Sequence, residues 1–212
     1  MPVVAWVVFG VGCGIVLTRA STHLFIAVEQ SSERLSSGYS RWWYIVASVV
    51  GGTTALITSW AESLMNATML WVTMALALVQ SPLDAHSRRL SRPVTLLALS
   101  AVGLLLVVWA LQSKSVVTVG VAAGIALLVG SGYALINHLS PRSIGFGDVL
   151  LVLPLSLAIA SVDLRAVTAW QLVASSSAVI HRLLTRLSRH SSFIPFGPHL
   201  LGAAWIVLVV SV

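Results

Sequence analysis

Apolar residues along this chain do not alternate with polar ones. They gather into long blocks at about residues 2–18, 43–60, 64–82, 94–112, 116–137, 149–162, 166–185 and 194–212, separated by short polar interruptions. The alternating signature of membrane barrel strands is missing. Continuous apolar segments in lipid must satisfy their own backbone groups, so each block reads as a helix. A bilayer core of about 30 Å takes roughly 20 residues per crossing. The pattern therefore predicts an all-α polytopic membrane bundle of about eight transmembrane helices.

Composition agrees with that pattern. Hydrophobic residues make up 58% of the chain and charged residues 8%, against about 25% charged in soluble domains. The interruptions also sort by charge. With the N-terminus outside, the cytoplasmic segments are about 19–42, 83–93, 138–148 and 182–193. They hold Arg19, Arg34, Arg41, Arg88, Arg89, Arg92, Arg142, Arg182, Arg186 and Arg189, ten of the twelve basic residues. Lys114 and Arg165 fall outside. This is the bias expected of short loops, and eight helices place both termini outside. The net charge of +6 follows from topology, so membrane lipid, and no nucleic acid, is the expected partner. The first block has no basic residue before it and Arg19 after it, the reverse of a secretory signal, and reads as a retained helix.

The one sizeable polar stretch is residues 19–41, where "THLFIAVEQSSERL" has the pattern of a helix lying at the cytoplasmic interface. Trp42, Trp43 and Tyr44 follow as an aromatic anchor. The spacing "GVAAG" at 120–124 suits close helix packing. Cys13 is the only cysteine, and the six histidines show no metal-ligand spacing. No metal and no cofactor are expected, and each histidine reads as a surface or interface group. Serines are frequent, as in "ASSSAVIHR" at 174–182, without a GxSxG elbow; they read as small residues packing helices together.

The chemistry rests on six acids. Glu29 and Glu33 lie in the first cytoplasmic segment, and Glu62 and Asp163 lie in short outside loops. Asp84 and Asp148 remain, both at cytoplasmic helix ends. Only about 14 apolar residues separate Asp148 from the outside loop. They cover roughly 21 Å, so "SIGFG" must descend below the membrane surface to meet them. Gly145 and Gly147 would permit unusual dihedrals or a close backbone approach there. A carboxylate at such depth marks a functional site by default; the alternative is a helix cap. For Asp84 the alternative is an ion pair with Arg88, one turn on. Two facing carboxylates share a proton, one acting as base and the other as acid. Asp148 stands at a helix N-terminus and Asp84 near a C-terminus, so the helix dipoles favour Asp148 as the ionised base and Asp84 as the acid.

With these residues the chain resembles the prepilin peptidases, membrane aspartyl peptidases of the GxGD type. "GFGD" at 145–148 matches the motif, with Asp148 at its aspartate. "LDAHSRRLSRP" at 83–93 is similar to the segment around the family's other aspartate, which puts Asp84 there. "IPFGPHL" at 194–200 is similar to its C-terminal proline-glycine signature. The resemblance covers about residues 64–212. It implies a six-helix peptidase core over 64–212, preceded by two helices and a short cytoplasmic loop over 1–63. Catalysis would fall to Asp84 and Asp148. Substrate contacts would fall to Gly145, Phe146, Gly147, Pro195, Phe196, Gly197 and Pro198. The implied activity is removal of the leader from prepilins or pseudopilins at the cytoplasmic face of a bacterial inner membrane. Residues 19–42 contain no cysteine, so the zinc domain and methyltransferase activity of many relatives are not expected.

Two other classes use the same residues. A small transporter or proton relay would also bury carboxylates, although both acids cluster at one face and no midplane pair of broken helices is evident. A non-catalytic assembly subunit of a pilus or secretion machine would need neither acid for chemistry.

Overall fold

A computed structural model describes residues 3–29, 41–61, 63–87, 90–113, 115–140, 144–187 and 195–212. These form eight helices: α1 (Val3–Glu29), α2 (Arg41–Thr58), α3 (Leu64–Ser87), α4 (Arg92–Ser113), α5 (Val116–Leu139), α6 (Phe146–Val162), α7 (Ala166–Leu187) and α8 (Gly197–Ser211). No strand occurs among the described residues.

Each apolar block became one helix, with one clear extension. α1 continues through residues 19–29, so the helical pattern of "THLFIAVE" extends the first block instead of forming a separate helix. Nothing there stops a helix, since no glycine or proline occurs between Gly14 and Gly38. The remainder of the expected interfacial helix lies outside the described residues, as do Arg34, Arg88, Arg89, Lys114, Arg142 and Arg189.

Among the described residues, four helical stretches are long and apolar enough to cross a membrane: Val3–Ala20, Leu64–Ala85, Arg92–Ser113 and Val116–Leu139. α6 and α8, of 17 and 15 residues, reach only about 26 and 23 Å at 1.5 Å per residue. The long helices keep apolar residues on the outside of the bundle. Only 17% of the Val116–Leu139 window is buried, and Leu104, Val107, Val108 and Leu111 of α4 are exposed. An apolar surface of this extent marks contact with lipid or protein rather than water.

α6 is the axis of the assembly. It is apolar on every side, and it is buried almost continuously from Asp148 to Ala160, as a helix without a polar face must be. α3, α4, α5, α7 and α8 all pack on it. α1 and α2 form a closely approached pair at one flank, where Gly10 and Gly14 meet the backbone of Ala47 and Gly51. In contrast, Gly120 and Gly124 of "GVAAG" face open space. α5 instead buries Ala122, Ala126 and Gly130, one residue every turn along the face turned to α6.

Side-chain bonds join the helices where apolar packing alone would leave them free to slide. Trp170 Nε1 donates to Leu200 O (2.9 Å), tying α7 to α8, and Trp205 Nε1 donates to Thr54 Oγ1 (2.9 Å), tying α8 to α2. The fully buried Gln80 clamps the entrance of α4. Its Nε2 donates to Ser91 O (2.8 Å) and Thr95 Oγ1 (2.9 Å), and its Oε1 accepts from Ser91 N (2.9 Å). α3 and α4 are thereby closed into a hairpin whose tip carries Asp84 and Leu90. Replacing Gln80 with leucine keeps most of the volume and orphans the Ser91 amide. We expect a loss of about 1–3 kcal/mol, seen as a lower midpoint of thermal unfolding in detergent, with Thr95→Val losing less.

Candidate active site

Asp84 occupies the last turn of α3, four residues after Gln80 and on the same face of the helix. It is 6% exposed. Its Oδ2 accepts the Gly197 N–H at 3.1 Å, across 113 residues of sequence. Gly197 is the first residue of α8, and Phe196 before it supplies no side-chain cap. The next residue, Pro198, has no N–H to offer. The Gly197 amide is therefore a free first-turn donor, and Asp84 caps α8 from another helix.

Asp148 is the third residue of α6 rather than the residue before it, because Phe146 and Gly147 are already helical. Among the described residues, the expected non-helical descent is thus limited to Ile144 and Gly145, and Ser143 lies outside them. Asp148 is 8% exposed. Its Oδ2 accepts the Gly145 N–H at 3.3 Å, the return half of a capping box. The capping alternative therefore describes a real contact, made from the third helical position. Asn137 Nδ2 donates to Ile144 O at 2.6 Å, so the end of α5 anchors this turn.

The two aspartates line one cavity of about 370 Å³ with Leu90, Arg92, Gly145, Phe146 and Gly147. The Arg92 guanidinium sits 5.4 Å from the centroid of the Phe146 ring, within cation–π range. The cavity thus combines two nearly buried carboxylates with one cation held over an aromatic face. Arg88, the alternative partner for Asp84, lies outside the described residues. Among the described residues, no group of three or more His, Cys, Asp or Glu side chains could hold a metal.

Gly147 and Gly197 serve close packing, and none of the three site glycines has unusual backbone geometry. Gly145 has φ −71° and ψ 146°, open to any residue, and a Cβ on it would sit in ordinary contact, 3.4 Å from Asp148 Oδ2. A Cβ on Gly147 would press on Leu90 Cβ at 3.1 Å, a side chain rather than another backbone. Gly197 is the tightest of the three, for a Cβ there would stand 2.6 Å from Asp84 Oδ2.

The C-terminal motif is divided in its contacts. Gly197 touches Asp84, whereas Phe196 stacks with Tyr133 of α5 (6.5 Å, 22°) and lines a separate cavity of about 500 Å³ between α5, α7 and α8. Pro195 and Pro198 are half-buried. Neither proline lines the aspartate cavity.

One expectation is revised by this arrangement. Asp84 is near the C-terminus of its own helix, but its carboxylate faces the N-terminus of α8. The negative end of α3 and the positive end of α8 therefore act on Asp84 together, which narrows the dipole difference from Asp148 without reversing it. Sequence reasoning also missed Leu90 and Arg92 as cavity residues. Arg92 had been counted only as a topological charge. The histidines and serines of α7 and α8 had been read singly, yet His181 and His199 meet at 3.0 Å and His199 meets Ser177 at 3.0 Å.

Gly197→Ala and Gly145→Ala give a direct test of this packing. Gly197→Ala should displace Asp84 and cost about 1–3 kcal/mol, while Gly145→Ala should stay within about 0.5 kcal/mol of the parent; thermal unfolding in detergent reads both. Comparison of the chain with models of known families, with curated proteins and with solved structures finds no match.

Proposed function

We propose that this chain is an intramembrane aspartyl endopeptidase that removes the leader of prepilin-like proteins at the cytoplasmic face of a bacterial inner membrane. The observation that carries the reading is the shared cavity of Asp84 and Asp148, each nearly buried and each at a helix end. The motif resemblance at 83–93, 145–148 and 194–200 supplies the substrate class. In this topology eight helices cross the membrane and both termini lie outside, with the short α6 reaching from the outside loop to a sunken catalytic cavity.

The chemistry follows from two carboxyls holding one proton. The ionised carboxylate takes a proton from a water lying between the pair, and the water oxygen attacks the scissile carbonyl carbon. The protonated carboxyl gives its proton to the carbonyl oxygen as the tetrahedral intermediate forms. Collapse of that intermediate breaks the C–N bond: the departing amine receives the proton taken from water, and the former carbonyl oxygen returns its proton to the carboxyl that gave it, so the pair again holds one proton. No metal or redox partner enters this balance. Asp148, at a helix N-terminus alone, remains the favoured first base, by a smaller margin than α3 and α6 by themselves would give.

Substrate positioning would come from burial of its apolar segment beside the bundle, which turns an encounter into a held geometry. Gly145 uses its N–H on Asp148 and its C=O on the Asp148 and Val149 amides. Its part in substrate contact is thus as cavity wall, together with Phe146 and Gly147. Pro195, Phe196, Gly197 and Pro198 would shape the approach through the first turn of α8.

Co-expression with type IV prepilins, pseudopilins and short Flp-type prepilins, followed by mass spectrometry of the mature N-terminus, tests the reading. Leader removal is expected for the parent. Asp84→Asn and Asp148→Asn should each lower it by at least about 100-fold at equal membrane expression, the scale of losing an acid or base. Retained cleavage in either variant would exclude the two-aspartate mechanism. Gly147→Val pushes against Leu90 at the cavity wall and should reduce cleavage by about 10- to 100-fold, measured in the same assay.

A further inference from the structure

We propose that His199, held by Ser177 and His181, is a positioning residue that keeps the first turn of α8 on Asp84. The inference uses the reading of Asp84 as a site residue, and it rests on bonds that no part of that reading required. His199 is the third residue of α8, two after Gly197. Its side chain leaves the helix on the side of α7, and there it is gripped at both ring nitrogens.

Hydrogen-bond accounting gives this chain a direction. Ser177 Oγ donates its proton to Ala174 O at 2.9 Å. The hydroxyl must then accept from His199 Nδ1, 3.0 Å away, which puts a proton on Nδ1. In a neutral ring the other nitrogen is then an acceptor. His199 Nε2 therefore accepts from His181 Nδ1–H at 3.0 Å. All three links are satisfied with one arrangement of protons and with both imidazoles neutral. Ser177 and His181 stand one turn apart on α7, on the stripe that also carries the buried Trp170 and Ala174. Trp170 Nε1 donates to Leu200 O, next to His199 in α8.

α7 thus fixes two consecutive residues of the first turn of α8 by side-chain bonds. This bears directly on Asp84. α8 has no side-chain cap of its own at Phe196, and Pro198 contributes no donor. Ahead of its own internal ladder, the first turn is joined to its surroundings by the His199 and Leu200 amides on Phe196 O (3.0 and 3.1 Å) and by Gly197 N–H on Asp84, beside the bonds from α7. A first turn without a cap from its own segment frays unless a neighbour holds it. Fraying would withdraw the Gly197 amide from Asp84, and the grip of α7 on His199 prevents it. Asp148 takes its amide from Gly145, at the start of a different helix, so it loses no bond of its own and gains no proton from the change.

The test labels the full-length protein in detergent or nanodiscs with a hydrophobic carbodiimide, which couples to protonated carboxyls, and reads Asp84 and Asp148 separately by peptide mass spectrometry. His199→Ala should raise labelling of Asp84 by about 3- to 10-fold, the scale of one lost hydrogen bond, with Asp148 unchanged or lower, as expected of a partner in one shared proton. Ser177→Ala, a milder change that keeps the helix, should raise Asp84 labelling in the same direction. His199→Asn retains a donor at the position of Nδ1 and should return labelling towards the parent. Equal Asp84 labelling in the parent and His199→Ala overturns the proposal. So does a rise shared by both aspartates, which is general loosening, or a His199→Asn variant no different from His199→Ala. Leader cleavage is measured on the same preparations. Selective labelling changes in a protein that cleaves none of the prepilins would keep the positioning role and remove the peptidase reading.

Discussion

The structure depends on one constraint: a carboxylate that has left water must find donors, and here it finds them at the ends of other helices. Asp84 has no capping role in α3. Its partner is the first amide of α8, brought from 113 residues away. This single contact decides how far α3 and α8 may slide past each other. It also explains why the first residue of α8 is glycine, since any side chain would occupy the place of the carboxylate oxygen. Asp148 solves the same problem locally through Gly145. The two solutions bring both carboxylates to one cavity, although neither helix carries both.

The central helix makes the arrangement rigid. α6 is buried on all sides and starts at the cavity floor with Phe146, Gly147 and Asp148. Five other helices pack on it, so a shift of its first turn would disturb the whole core. The α3–α4 hairpin is fixed independently, by Gln80 holding Ser91 and Thr95. Leu90 and Arg92 are consequently delivered to the cavity by a polar clamp that adds to the packing of Leu90 and Val94 on the core. A polar group this deep stabilises only when each of its donors and acceptors is met, and the three Gln80 bonds meet that condition.

Much of this was legible in the sequence because the signals are local. Apolar blocks give helices through backbone satisfaction alone, and the helix limits fell within a few residues of the block limits. The exception, α1, ran on to Glu29 because polarity had been taken for a stop where no residue breaks the helix. Asp84 and Asp148 stood out because acids are scarce. The partner of Asp84 was hidden, since a contact between Asp84 and Gly197 leaves no periodic trace. The same holds for His181 and His199, which are 18 residues apart on separate helices. Arg92 was hidden for a different reason: a positive charge in a cytoplasmic segment already had an explanation, and its place over Phe146 depends on the turn of α4 against α6.

The helix-dipole argument shows how such hidden contacts change chemistry. Judged from its own helix, Asp84 sits at a negative end and Asp148 at a positive end, and the pair would be polarised before any substrate arrived. With α8 in place, Asp84 faces a positive end as well, which opposes the end of α3 and narrows the difference from Asp148. Moving one proton between the two carboxyls then costs less than their own helices alone would impose. That suits a reaction in which one carboxyl must first accept a proton and later return it while the other does the opposite. The contact that joins α3 to α8 thus also narrows the difference within the pair, and the packing of the bundle and the chemistry of the cavity meet in the same hydrogen bond.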